Sequence, residues 1–530
     1  MVDTTSDVSD VGAPCTLREA VVSATGDAAG GNGCANGSGP DVVSFDPAVF
    51  VPGGTPSTID LSFQQLFLNT DVTIAGPGTS ELLIDGAPGE RTIFAGQDKV
   101  ITLSGLTVTG GNRTGTGNEA GGGIFNAATL TLTEVTVSGN QVRRIASPTS
   151  FLTAKGGGIH NSPTGTLTLN ESVIRDNAAS ASNTQGDSGG AEAYGGGIFN
   201  DGGTVQIHYS VVDGNQTLAA DTGAVSSNVQ SFGAGIHSQP GSINIDHSQI
   251  TRNDAAASGG TNAFVAAQGA GIAKALGAWR IEQTTIAGNT VAATGGAGSV
   301  ITQSGGGIYN GAGTLDLVSD TIARNGPSAP GVAANIVGGG ATSFANTIVS
   351  DPLGAGSVNC GTGPKTTGGT NVDYSAADTP SCGFGPTDLT SNPLLAAGFT
   401  GGPTETIALL PGSPAIDAGS NASQSVLNDD QRGLLRPVDF TGLANAGNGT
   451  DIGAFEVQKA CPEQTAPGGT CPQPVINPQP LINPPTSSLP PAGSTTGPTG
   501  QRAAALKKCK KKRSAKARKR CKKKAKLLPV

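Results

Sequence analysis

Gly-(Gly/Ala)-Gly-Ile opens six consecutive blocks of this chain, at Gly121, Gly156, Gly195, Gly233, Gly269 and Gly305, at intervals of 35 to 39 residues. Each block closes on an asparagine: Asn140, Asn177, Asn215, Asn253, Asn289 and Asn325. Counted back from that asparagine, apolar residues recur at fixed places. Three before stand Val137, Ile174, Val212, Ile250, Ile286 and Ile322; eight before, Leu132, Leu169, Ile207, Ile245, Ile281 and Leu317; ten before, Leu130, Leu167, Val205, Ile243, Trp279 and Leu315. The isoleucines after the glycines, Ile124, Ile159, Ile198, Ile236, Ile272 and Ile308, make a fourth filled column. Such a period marks a repeat architecture in which no block buries its apolar face alone.

The apolar pair at ten and eight before the asparagine has period two, so one strand turns both side chains to the same side. The lone Val or Ile at three before marks a second short strand, and the Ile after the glycines a third. Three short strands joined by tight turns predict one coil of a parallel β-helix, stacked at ~4.8 Å so that columns become ladders. The closing asparagines are expected at a turn, in left-handed backbone, with their amides bonded along the axis. A looser column holds Asn126, Asn161, Asn200 and Asn310, broken by Ser238 and Lys274. The surplus in each block, such as residues 178–194 or 255–268, is rich in Gly, Ala, Ser and Thr. It is expected as an excursion on one side of the coil: a plain spacer, or loops for a carbohydrate or protein ligand.

The pattern extends upstream through Ile101, Leu103 and Val108, and more loosely through Val72, Ile74, Leu83 and Ile93; downstream it decays by Phe344, Ile348 and Val349. A solenoid end exposes strand edges and needs a lid. Leu17, Ala20, Val21 and Ala24 fall on one face of a short predicted helix that supplies one. The expected organisation is an N-terminal cap over residues 1–45, a β-helix over 46–350, a C-terminal cap over 351–458, a Pro-rich linker over 459–500 and a basic tail over 501–530.

Aromatic residues are only 4% of the chain and glycines number 82, which suits a narrow interior with many tight turns. No run approaches the ~20 apolar residues that span a bilayer. The eight cysteines fall in four neighbouring couples, Cys15/Cys34, Cys360/Cys382, Cys461/Cys471 and Cys509/Cys521. Even number and short separation favour local disulfides in an oxidising compartment; zinc is the competing reading, against which stand the absence of C-x-x-C spacing and a total of four His. The residues after Met1 are polar at once and do not read as a signal peptide, yet the cysteines argue for export, so a leader absent from this chain is expected of the precursor.

Three stretches resemble a group of exported bacterial proteins. Cys15-Thr-Leu-Arg-Glu-Ala20 is similar to the CSLREA module (Cys-Ser-Leu-Arg-Glu-Ala), with Thr16 in place of Ser. Gly121–Asn126 and Gly195–Asn200 resemble the GGxI and FxxN repeats of polymorphic outer-membrane proteins, and more broadly the pectin-lyase-like superfamily. Gly401-Gly-Pro-Thr-Glu-Thr406, the stretch from Pro411 to Gly419, Asp430-Gln-Arg-Gly433 and Asp451-Ile-Gly-Ala-Phe-Glu456 resemble the choice-of-anchor Q region, which precedes varied cell-surface anchors. The superfamily implies an all-β, right-handed parallel β-helix and an extracellular or envelope location. The chain departs from these groups in lacking a sorting motif with a hydrophobic tail, and it has no room for a translocating barrel.

Many relatives of this fold cleave acidic polysaccharides, which needs carboxylates gathered on neighbouring coils. Seven before the closing asparagine stand His208, Asp246 and Glu282 in succession, with His247 one position on; six before stand Glu134 and Glu171. These are the catalytic candidates, set against the expectation that both columns face solvent at a turn. The Asn-Thr-Asp, Gly-His-Gly and Arg-Ile-Lys signatures of polygalacturonases are absent. His160 and His237 share the column of Phe125, Phe199 and Tyr309, so both are expected to fill a ring-sized place. Asp417, Asp430, Asp451 and Glu456 are candidate calcium ligands, with ion pairs to Arg432 and Arg436 as the alternative. No other cofactor is implied.

Residues 501–530 hold fifteen Lys/Arg and no acid, a charge of +15 against −23 for the first 500 residues. Lys507, Lys508, Lys510, Lys511, Lys512, Arg513, Lys522, Lys523 and Lys524 form its densest runs. Such a segment is too charged to pack on a core and is expected to bind a polyanion: wall polymer, anionic lipid head groups or, by the same electrostatics, nucleic acid. The reading that results is a non-catalytic surface or secreted scaffold of adhesin type, with a polysaccharide lyase or hydrolase as the alternative.

Overall fold

A computed structural model describes residues 1–459 apart from 9–13, 27–32, 116–119, 146–150, 184–188, 222–226, 328–331, 377–379, 421–427, 444 and 446. The linker and tail fall outside the described residues, and with them Cys461, Cys471, Cys509, Cys521 and the basic runs. The described chain is a parallel β-helix. Every pairing between its named strands is parallel, and the apolar columns stack in register: Ile124 on Ile159, Ile198, Ile236, Ile272 and Ile308 in turn. These isoleucines are all fully buried in one continuous axial core.

One coil shows the plan. Ile198–Asn200 lies at a corner, Thr204–His208 forms the long face, and Val211–Asp213 the flank. The chain then runs outward as Gln216–Asp221 and back as Asn228–Phe232 before the next corner at Ile236–Ser238. Among the described residues the surplus is therefore largely strand, and the spacer-or-loop expectation is corrected there. Outgoing strands pair from coil to coil in one sheet and returning strands in another. The two sheets pack on a second core made almost wholly of alanine and valine, including Ala179, Ala181, Ala193, Ala219, Val229, Ala255 and Ala267. Small side chains at every second position let two strand layers approach closely, so the surplus forms a thin fin beside the helix.

The glycine triplet and the closing asparagine prove to be one device. Asn140, Asn177, Asn215, Asn253, Asn289 and Asn325 are buried, and each Nδ2 donates to the Oδ1 of the next at 2.9 to 3.1 Å. The ladder runs on through Asn335 and Asn359 to the carboxylate of Asp373. The third glycine leaves room for it: a Cβ on Gly197 would stand 3.0 Å from the Asn215 amide and 2.7 Å from the Gly235 carbonyl. The expected left-handed backbone falls one residue earlier, on Gly139, Asp176, Gly214, Arg252, Gly288 and Arg324, because the asparagine side chain must point inward to reach its rung. A hydroxyl row was not anticipated: Ser172, Ser210 and Ser248 each accept the backbone N–H of the coil before, at 3.1 to 3.2 Å.

The looser column is a ladder too, from Asn126 through Asn161 and Asn200 to Ser238. Lys274, fully buried in the same column, spans to Asn310 Oδ1 at 2.9 Å, and burial pushes its ammonium down to about 8. Lys274→Asn, which supplies the column's own residue, is expected to raise stability by about 1–3 kcal/mol near neutral pH. A lowered lysine costs most below its folded value, so the advantage should shrink as pH climbs from about 8 towards 10.5. Chemical denaturation at about pH 7 and about pH 10 measures both.

The N-terminal lid is the helix Leu17–Gly26, whose Leu17, Ala20, Val21 and Ala24 close the first coils. Its start is a capping box: Glu19 N–H donates to Thr16 Oγ1 at 3.1 Å, and Thr16 N–H to Glu19 Oε2 at 3.1 Å. Arg18 pairs with Asp7 at 2.8 Å and reaches the carbonyls of Gln64 and Gln65. Cys15–Cys34 and Cys360–Cys382 are disulfides. Coils continue past residue 350 to Val372–Tyr374, so the expected boundary is moved. Cys382 and Phe384 close that end against Phe344. The rest of the C-terminal region is not an end cap: Leu395, Ile407, Leu409, Ala415 and Ile452 fold back onto Ala287, Ala323 and Ile348 along the flank.

Candidate functional site

Two side-chain constellations on the coils carry chemistry. The first is the turn after the long face. Glu134, Glu171, Tyr209, His247, Gln283 and Ser319 all have positive φ, between 43° and 56°, so this column makes the corner at every coil. The backbone turn throws successive side chains to the outside at ladder spacing. Glu134 and Glu171 stay exposed there, whereas the later coils are covered.

His208 and Asp246 are neighbours on the long face through parallel register. Asp246 lies between two imidazoles, with Oδ2 2.5 Å from His208 Nδ1 and Oδ1 3.0 Å from His247 Nδ1. His247 Nε2 reaches Asp429 of the returning C-terminal segment at 3.2 Å, and the Tyr209 hydroxyl donates to the other oxygen of Asp429 at 3.2 Å. Tyr209 stacks on His247 with centroids 4.4 Å apart. Gln283 donates to the Asp429 carbonyl, and Glu282 is engaged by Arg280. Sequence reasoning missed Asp429, for its partners lie 182 and 220 residues away. The expectation of a solvated turn is therefore corrected at His247, whose side chain is only 13% exposed, while His208 keeps 39%.

The electrostatics follow from the contacts. The Asp246 bond raises His208, outweighing its burial. Burial pulls His247 down, yet its bonds to Asp246 and Asp429 hold it above the ordinary imidazole value. Burial likewise opposes ionisation of Asp246, and the two imidazoles outweigh it and hold the carboxyl low. Burial and then Asp429 push the Tyr209 phenol up. An acid–base pair with one face open to water is what this geometry offers chemically.

The second constellation is a stack of rings at the corner. Phe94, Phe125, His160, Phe199 and His237 follow one another at 4.9 to 5.4 Å with interplanar angles of 3° to 19°. His160 and His237 are buried, and burial followed by Lys155 pushes each down to about 3. Both are neutral ring fillers. Where Ala273 leaves the next place unfilled, Phe232 of the fin bridges to Tyr309 at 6.0 Å.

Asp417, Asp430, Asp451 and Glu456 are all buried, and apart from Asp417 Oδ1, which has no hydrogen-bond partner among the described residues, their oxygens are taken up within the chain. Arg432 holds Asp430 at 2.5 Å and Arg436 holds Glu456 at 2.8 Å. Asp451 accepts the backbone N–H of Asp417 and of Val457, and Asp417 that of Phe440. This is a loop-organising ion network of the kind the arginines suggested, and among the described residues no group of three or more His, Cys, Asp or Glu could hold a metal.

No protein-family model matches the chain, and no curated protein matches it. Among solved structures, a crystal structure of pectate lyase Pel9A aligns at 13% identity, covering 86% of this chain and 96% of that one, with a TM-score of 0.37. At that level the likeness assigns no activity to this chain. No helix among the described residues is long and apolar enough to cross a membrane.

Proposed function

We propose that the protein is a non-catalytic β-helix scaffold of adhesin type, secreted or displayed at the cell surface. One observation carries this reading: apart from the open face of His208, the ionisable line on the coils is closed on itself. Asp246 is shared by two imidazoles, His247 and Tyr209 are docked on Asp429, and Glu282 is held by Arg280. Catalytic carboxylates need room for a sugar between them, and these hold the chain's own side chains instead. The fin adds a sheet surface beside the helix on which a carbohydrate or protein ligand can lie. Two disulfides suit an oxidising compartment. The Lys/Arg tail supplies the tether, each charge near an anionic wall polymer or lipid head group contributing ~1 kcal/mol, reduced by salt.

The alternative is a polysaccharide lyase or glycoside hydrolase of this fold, favoured by the open face of His208 backed by Asp246. A polyuronate panel with and without calcium, run beside a glycan array on the full chain and on a chain ending at residue 500, tests both. Glycan binding without turnover, with envelope retention lost on removing the tail, is the expected result. Turnover abolished by Asp246→Ala would overturn it.

A further inference from the structure

We propose that the segment 428–436 is an acid-tightened clasp, joining the C-terminal region to the coils through His247 and Asp429. The segment is a compact turn with its own backbone bonds, Gly433 N–H to the Asp430 carbonyl at 2.8 Å and Arg436 N–H to the Asn428 carbonyl at 3.0 Å. It sits on three successive coils by polar contacts: Tyr209 and His247 on Asp429, Gln283 on the Asp429 carbonyl, and Thr285 on Gln431 at 2.6 Å. The apolar dock lies elsewhere, where Leu395, Ile407, Leu409 and Ile452 meet the flank. One part of the C-terminal region is thus bound by burial, indifferent to pH, and another by a chain of ionisable groups.

The charge balance of that chain depends on protonation. His247 faces Asp246 on its own coil, Asp429 with Asp430 and Arg432 on the clasp, Tyr209 and His208 on the coil before, and Glu282 with Arg280 on the coil after. Two carboxylates grip this imidazole, one at each nitrogen. Protonated, it donates to both. Neutral, it has one N–H, so one carboxylate faces a ring lone pair and is repelled. The sign follows: a histidine raised by its partners contributes fully below the unfolded value of 6.5, and that contribution is lost as pH rises through the folded value. Asp246, held low, sets the acid limit, where the grip fails as pH falls through its depressed value.

Hydrogen exchange on the full chain, corrected for intrinsic rates, tests this at about pH 5.5 and about pH 8. Peptides covering 428–436 should lose about three- to tenfold of their protection on going to the higher pH, while peptides over 393–399, which carry Leu395 of the apolar dock, should not change. His247→Gln should hold 428–436 at the weaker level at both pH values, and Asp429→Asn, which leaves the coils intact, should do the same. Equal protection of the wild-type segment at both pH values, or an undiminished pH response in both variants, would overturn the clasp.

Discussion

The double variant His160→Phe, His237→Phe should resist acid far better than the parent, gaining on the order of several kcal/mol at about pH 4. Both rings are neutral, at 5% and 4% exposure, and are pushed down to about 3 by burial and Lys155. An unfolded chain takes up two protons near 6.5 that the folded stack refuses until pH approaches 3. Stability supplied by a histidine lowered in this way is present above 6.5 and drains away as pH falls through that window. Phenylalanine suits the column, for Phe125 and Phe199 flank His160 at 4.9 and 5.2 Å. It also removes ring nitrogens that have no hydrogen-bond partner, Nδ1 of His160 and both of His237, so about 1–2 kcal/mol should appear at neutral pH as well. Urea titrations across the window are the measurement; an unchanged acid midpoint would show that the stack is not the acid-sensitive element. Global acid loss and the acid-tightened clasp run in opposite directions, so a global probe and local exchange should disagree in sign between about pH 8 and about pH 5.5.

Cutting one rung from the asparagine ladder should cost more than removing an ordinary surface amide by an order of magnitude. In Asn215→Ala, the backbone N–H of Asn177 loses its 3.1 Å acceptor, the Asn177 amide its 3.0 Å acceptor, and the Ile174 carbonyl its 2.9 Å donor. None can reach water at a position that is fully buried. Each stranded polar group costs ~1–3 kcal/mol, giving a loss of about 3–6 kcal/mol in all. Asn170→Ala, on the outward side of the long face, should stay within about 0.5 kcal/mol. Comparable midpoints for the two variants in denaturant would mean that the rungs are decoration.

What was legible in the sequence was whatever repeats in register. The isoleucine and asparagine columns, the ring column with its two histidines, and the amphipathic lid could each be read from spacing, because a parallel coil copies its neighbour's contacts. The fin escaped for a chemical reason: alanine alternating with serine is a weak period-two signal, and only close packing of two thin sheets turns Ala179 and Ala181 into core. The folded-back C-terminal region escaped for a topological one. It meets the coils once, so no repetition announced that Thr404 would bond the His247 carbonyl or that Asp429 would complete the line of His208 and Asp246. The candidate line was thus visible from the columns, and its closure was not.

Because every rung presents the same acceptor to one side and the same donors to the other, the solenoid is adjustable in whole units. Excising residues 141–177 would bring Asn140 against Asn215, with matching isoleucines above and below. The freedom is confined to one stretch: from Tyr209 onward the folded-back region grips particular coils, whereas among the described residues the coils between Val100 and Asn177 pair only with their neighbours. That stretch is where evolution or a designer can set the reach of the molecule without rewriting the remainder.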